Sequence, residues 1–270
     1  MTSGGLRSAR DGRVAVLTLD RPAQRNELDA SLLDALRAAL ADADAHAGVD
    51  VIVLTGAGEH FCGGLELEQM ADPVGGPALA TRVFAGWRAW PVTAKPVIGA
   101  VNGPAERGGL ELALQCDVLI ASERATFADT HAMLGFAPAL GLTALLARAV
   151  GRGWALRMSL GGAPVDAAQA ARIGLVTEVV PHDDLLGAAV ALARAIAGNV
   201  PEAVRSVLAT YRAAEEAAVR DALAAELAGL RRTLEATPPS PVRDVVLDVV
   251  RRRATGADDD APGGAGTPPS

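Results

Sequence analysis

Two glycine-rich segments hold the residues whose types and spacing could do chemistry: FCGGLEL at residues 61–67 and NGPAERGGLEL at residues 102–112. A glycine lets backbone approach a ligand closely, and the first amides of a following helix have no partner inside it and lie at its positive end. Two such amides aimed at one point would hold an oxyanion. In the second segment Gly108 and Glu111 are three residues apart, so on a helix they share a face and set a carboxylate beside an anion-binding amide. This is an acid/base group next to a charge sink. The spacing also fits a plainer reading, in which the glycines permit tight strand-to-helix packing and Glu111 is a solvated first-turn residue.

Other chemistries fail on the same residues. VIVLTGAGEHF begins like a dinucleotide fingerprint with Gly56 and Gly58, but its third glycine position holds Phe61. Neither glycine turn continues into the Lys and Ser/Thr of a phosphate loop, and Glu111 would repel a phosphate. None of the eight serines lies in Gly-x-Ser-x-Gly, which removes the usual hydrolase elbow. Cys62 and Cys116 are too few for a disulfide scaffold and show no metal-ligand spacing with His46, His60, His131 and His182, so no metal is expected.

The elements that must position these residues read as an α/β protein. Residues 14–19 form a strand candidate ended by Asp20-Arg21-Pro22. From Asp29, a residue that can cap a first turn, Leu32, Leu36, Ala39, Leu40 and Ala43 recur at helical spacing. Residues 51–55, 97–101 and 118–121 are short apolar runs of the kind buried on both faces, and strands alternate with helices from Val51 to Val180, which predicts parallel βαβ units. Beyond that the pattern is helical, over 184–197, 202–234 and 242–253, and suggests a lid or an association surface. The expected division is a flexible N-terminus over 1–12, a core over 13–182, a helical C-terminal region over 183–254 and a disordered tail over 255–270.

Half of the 270 residues are apolar, enough for one substantial core. A net charge of -7 and a pI near 5.2 leave no basic surplus for nucleic acid. The start MTSGGLRSARDG lacks the apolar run of an export signal, and nothing downstream reads as a membrane span, so a cytoplasmic location is expected.

Six segments in order, LDRPAQRNELD, VIVLTGAGEHFCGGLEL, KPVIGAVNG, GGLELALQCDVLIAS, ATFADTHAMLGFAP and AARIGLVTEVVP, resemble the enoyl-CoA hydratase/isomerase (crotonase) family from about Val14 to Arg253. The resemblance implies a crotonase-like spiral of ββα units with a helical C-terminal region that builds a homotrimer or a dimer of trimers. It implies an acyl-CoA thioester as substrate and no separate cofactor. It places the two oxyanion amides on Leu65, after the Gly63 and Gly64 pair, and on Gly108, and the first catalytic glutamate on Glu111. His131 stands where hydratases carry a second glutamate; an imidazole with a pKa near 6.5 can take or give a proton at neutral pH, and the alternative reading is that His131 only lines the pocket.

Three departures bear on the substrate, one of them Glu68, which follows FCGGLEL where relatives often carry a lysine near the nucleotide phosphates. Glu27 stands where the family has alanine near the coenzyme, and Arg25 beside it could reach a phosphate. Arg107 stands where relatives tend to have glycine or another small residue; it could pair with a carboxylate on the acyl chain, pair with Glu106 or Glu66 inside the protein, or point to solvent. The reaction implied is hydratase-like. Isomerisation, decarboxylation or C–C cleavage of an acyl-CoA uses the same oxyanion hole, and a catalytically poor paralogue acting as a binding subunit is a further class.

Overall fold

The computed structural model describes residues 2–84 and 88–254. The expected disordered tail over 255–270 lies outside the described residues. The chain opens with β1 (Thr2–Ser3), β2 (Leu6–Asp11) and β3 (Val14–Leu19), an antiparallel meander in which Leu6 pairs with Leu19 and Asp11 with Val14. This corrects the expectation of a flexible stretch over 1–12. Residues 7–10 are exposed, so the segment has no apolar signature, and the backbone ladder to β3 makes it a strand.

Helix α1 (Ala30–Ala45) begins where Asp29 accepts from the Leu32 amide. Past its other end, the buried Lys95 donates Nζ to the Ala43 and His46 carbonyls at 2.8 and 2.9 Å. There follow β4 (Val51–Gly56), α2 (Leu67–Ala71), α3 (Gly75–Phe84), β5 (Val97–Val101), β6 (Ala105–Glu106), α4 (Gly108–Leu114), β7 (Val118–Ser122) and β8 (Thr126–Ala128). Beyond them lie α5 (Leu142–Gly161), β9 (Val165–Asp166), α6 (Ala167–Arg172), β10 (Glu178–Val180) and the helices α7 (Leu185–Ala197), α8 (Pro201–Ala236) and α9 (Pro241–Ala254).

One sheet runs in the order β1-β2-β3-β4-β5-β7-β10, parallel from β3 onward. Strands β3, β4, β5 and β7 are buried on both sides because each side chain set has its own cover. Val14, Val16, Val51, Val53, Ile98 and Ile120 pack on Leu185, Ala189 and Ala193 of α7. The alternate residues, Leu17, Leu19, Ile52 and Leu54, face the main core. The region expected as a lid from 183 therefore divides: α7 is a layer of the core, and α8 with α9 folds over its far side. A second sheet, β6-β8-β9, is small but holds the ends of two functional loops together.

Candidate active site

Parallel pairing puts Thr55 of β4 beside Ala100 of β5, so the loops after both strands leave the sheet at one end. Two buried asparagines tie those loops. Asn102 accepts from the Gly56 amide and donates to Gly58 and His60 carbonyls, while Asn26 donates to Ala57 and His60 carbonyls. The glycine segments then stack. Gly109 lies so close that an added Cβ would stand 1.9 Å from the Cys62 carbonyl oxygen, and one on Gly108 would stand 3.4 Å from the Leu65 nitrogen.

The Leu65 and Gly108 residues thus come close together from different loops. Gly108 is the first residue of α4, as expected. Leu65 differs from the expectation of a helix-start amide: it precedes α2 by two residues and is fixed by pairing with Leu28, whose amide donates to the Gly64 carbonyl at 2.7 Å. Among the described residues neither the Leu65 nor the Gly108 N–H donates to a protein acceptor. Two such amides side by side can hold a developing negative oxygen.

Glu111 lies one turn along α4 and is 2% exposed. Its Oε1 accepts from the Leu140 amide at 2.8 Å and the Ala139 amide at 3.2 Å. Burial pushes its pKa up to about 7; the nearby His131 charge opposes that rise and Glu226 adds to it. The solvated reading of Glu111 is therefore set aside.

His131 follows β8, and its Nδ1 lies 2.7 Å from Asp129 Oδ1, which leaves Nε2 as the uncommitted ring nitrogen. Burial lowers the His131 pKa, but the Asp129 hydrogen bond and the Glu111 charge together outweigh it and hold the imidazole above its usual value. Asp129 is buried too, and its bonds to His131 keep it below the usual carboxylate range.

Arg107 links the two turns. Its backbone sits at φ 52, ψ -121, a region that favours glycine and costs another residue about 1–3 kcal/mol. Its Nε and Nη2 donate to the Gly63 carbonyl at 3.1 and 2.6 Å, and Nη2 lies 3.4 Å from Glu27 Oε1. The internal partner is thus Glu27, whereas Glu66 pairs with Arg21. Arg25 also pairs with Glu27, and half its side chain is exposed.

One cavity of about 60 Å³ is lined by Leu65, Arg107, Gly108, Glu111 and His131, with apolar walls that include Met70, Phe84, Phe136 and Val246. Gly63, Gly64 and Arg25 are not among its lining residues. Sequence reasoning missed Asp129, visible in FADTH as an acid two residues before His131, and Glu226, for which no local signal exists. Among the described residues no group of three or more His, Cys, Asp or Glu could hold a metal, and no helix is long and apolar enough to cross a membrane.

The profile of a family described as enoyl-CoA hydratase/isomerase matches residues 9–238. The chain is 38% identical over 218 residues to the 2,3-dehydroadipyl-CoA hydratase of Escherichia coli (strain K12), covering 81% of this chain and 86% of that one. A crystal structure of enoyl-CoA hydratase from Mycobacterium avium superposes with a TM-score of 0.79 at 48% identity, covering 86% of this chain and 98% of the other. A carnitinyl-CoA dehydratase from Mycobacterium avium 104 superposes with a TM-score of 0.76 at 35% identity, covering 86% and 92%.

Proposed function

This chain belongs to the enoyl-CoA hydratase/isomerase family, and within it we propose that the protein adds water across the double bond of an enoyl-CoA thioester. The observation that carries this reading is one cavity that joins two unpartnered amides to two coupled proton carriers. Water oxygen bonds to Cβ, the π electrons move through Cα onto the thioester oxygen, and a proton then reaches Cα. The Leu65 and Gly108 amides hold that oxygen as it becomes an enolate oxygen, where their hydrogen bonds strengthen most. Gly63 and Gly64 supply the turn before Leu65 without side chains that would obstruct it.

Glu111 and His131 together supply one acceptor for the water proton and one donor for Cα. The charged form of each favours the charged form of the other, so a proton lost from one makes loss from the other harder and the pair titrates as a unit. Asp129 orients the imidazole and stabilises its charged form. The acyl-CoA is a substrate, and no separate cofactor enters the scheme. The exposed, Glu27-paired Arg25 is assigned to the entrance, where a phosphate of the coenzyme could share it. The Arg107 guanidinium is already engaged by Gly63 and Glu27, which favours internal pairing over reading an acyl carboxylate. A cytoplasmic homotrimer or dimer of trimers completes the proposal.

The test is crotonyl-CoA hydration by the wild type and by Glu111→Gln. Loss of a proton carrier is expected to lower kcat by about 10²- to 10⁴-fold. An unchanged rate overturns the assignment, and a wild type inactive across a panel of enoyl-CoAs points instead to a binding subunit.

A further inference from the structure

We propose that Arg107 is a positioning residue: its guanidinium, braced by Glu27, holds the turn at Gly63 and Gly64 in the pose that aims the Leu65 amide at the same point as the Gly108 amide. The inference rests on the oxyanion reading above. Its first support is the backbone. At φ 52 and ψ -121 the local preference is for glycine, so an arginine there is disfavoured by its own main chain and something in its side chain must offset this.

The side chain's contacts say what. Nε and Nη2 both donate to the single carbonyl of Gly63, and Gly64 lies directly against the guanidinium, since an added Cβ would stand 3.1 Å from Arg107 Nε. Gly64 has φ +102 and no side chain, so nothing of its own resists rotation of the Gly63-to-Gly64 peptide. The rest of the turn is already pinned. The Gly63 amide donates to the Arg25 carbonyl at 2.9 Å and the Gly64 carbonyl accepts from Leu28 at 2.7 Å. Of the turn's two carbonyls the Gly63 one is left, and Arg107 takes it.

Glu27 also holds the guanidinium, through the same Nη2 that Gly63 takes, and Arg25 pairs with the same carboxylate. Because Gly108 is the next residue in the chain, one residue spans both halves of the site: its backbone leads into one amide and its side chain steadies the loop of the other. A shift of the Leu65 amide would weaken the hole with little change in the cavity that receives the acyl chain.

The experiment compares wild type, Arg107→Gly, Arg107→Met and Glu111→Gln in two assays. One is crotonyl-CoA turnover; the other is binding of 4-dimethylaminocinnamoyl-CoA, whose absorption moves to the red as its thioester oxygen is polarised, with no turnover needed. Glycine suits the backbone, so Arg107→Gly should keep the wild-type Tm within a few degrees while losing more than half of the red shift. Its kcat should fall roughly 10- to 100-fold, with KM changed less than about threefold. Arg107→Met, which keeps a side chain but no donor, should lose the red shift likewise and decides the matter should the glycine variant not fold.

Full red shift and full kcat in a folded variant lacking the guanidinium overturn the proposal, as does a loss of kcat that only tracks loss of folded protein. A wild type that binds the chromophore without a red shift overturns the oxyanion reading, and this inference with it. Glu111→Gln then shows whether the proton-carrier assignment survives separately.

Discussion

A carboxyl group whose pKa rises from 4.5 to about 7 on folding binds more protons in the folded than in the unfolded state between those values, so stability falls as pH climbs through that window. Above pH 7 the penalty is complete, and a rise of this size corresponds to about 3 kcal/mol. Glu111→Gln removes the ionisation yet keeps an oxygen for the Leu140 and Ala139 amides. The variant should match the wild type near pH 4.5 and exceed it by roughly 1–3 kcal/mol above pH 7, as urea unfolding at several pH values would show. Equal stability throughout would mean that Glu111 is not kept at a cost. His131→Gln carries an opposite sign for catalysis. It deletes the charge that holds the Glu111 pKa down, so the acid limb of the pH–rate profile should move to higher pH in the residual activity. At this scale the grouping of Leu65, Gly108, Glu111 and His131 around one cavity was legible because each lies in a local motif. The pairing of Arg107 with Glu27 was not, since 80 residues separate them and only the stacking of the two turns brings them together.

Helix α8 is the element that closes the site from behind. Its Glu226 is buried and accepts from the Gly141 and Thr143 amides at 2.7 Å, and from the Thr143 hydroxyl, at the start of α5. The two residues before Gly141 are those whose amides hold Glu111. One short loop is thus gripped by a carboxylate at each end, one from α4 and one from α8. Glu226→Gln leaves a neutral acceptor that can face only part of that donor set, so a loss of roughly 1–3 kcal/mol is expected. It also removes a negative charge that raises the Glu111 pKa, so the acid limb should move to lower pH, opposite to the histidine variant. If both variants move the limb in one direction, the electrostatic account is wrong. The strands were readable as apolar runs because parallel strands covered on both faces leave no polar positions. β2 was missed because it lies near the sheet edge with residues 7–10 exposed. The role of α7 was misplaced because its apolar stripe does not reveal whether it covers a sheet or a partner.

For the molecule as a whole, α8 is divided in character. Val219, Glu226, Leu230 and Leu234 in its second half are buried, whereas Val207 and Tyr211 in its first half are 57% and 75% exposed. Light scattering on the purified protein should give three or six chains, and a monomer would overturn the assembly expected of it. A means of counting subunits is built into the chain. Lys95 is its only lysine, a residue 4% exposed whose amine donates to two carbonyls at the end of α1. Amine-reactive dyes applied to the native protein therefore have one target per polypeptide, the α-amino group. Each subunit would carry a single fluorophore, and the number of discrete bleaching steps from one particle would read the stoichiometry directly.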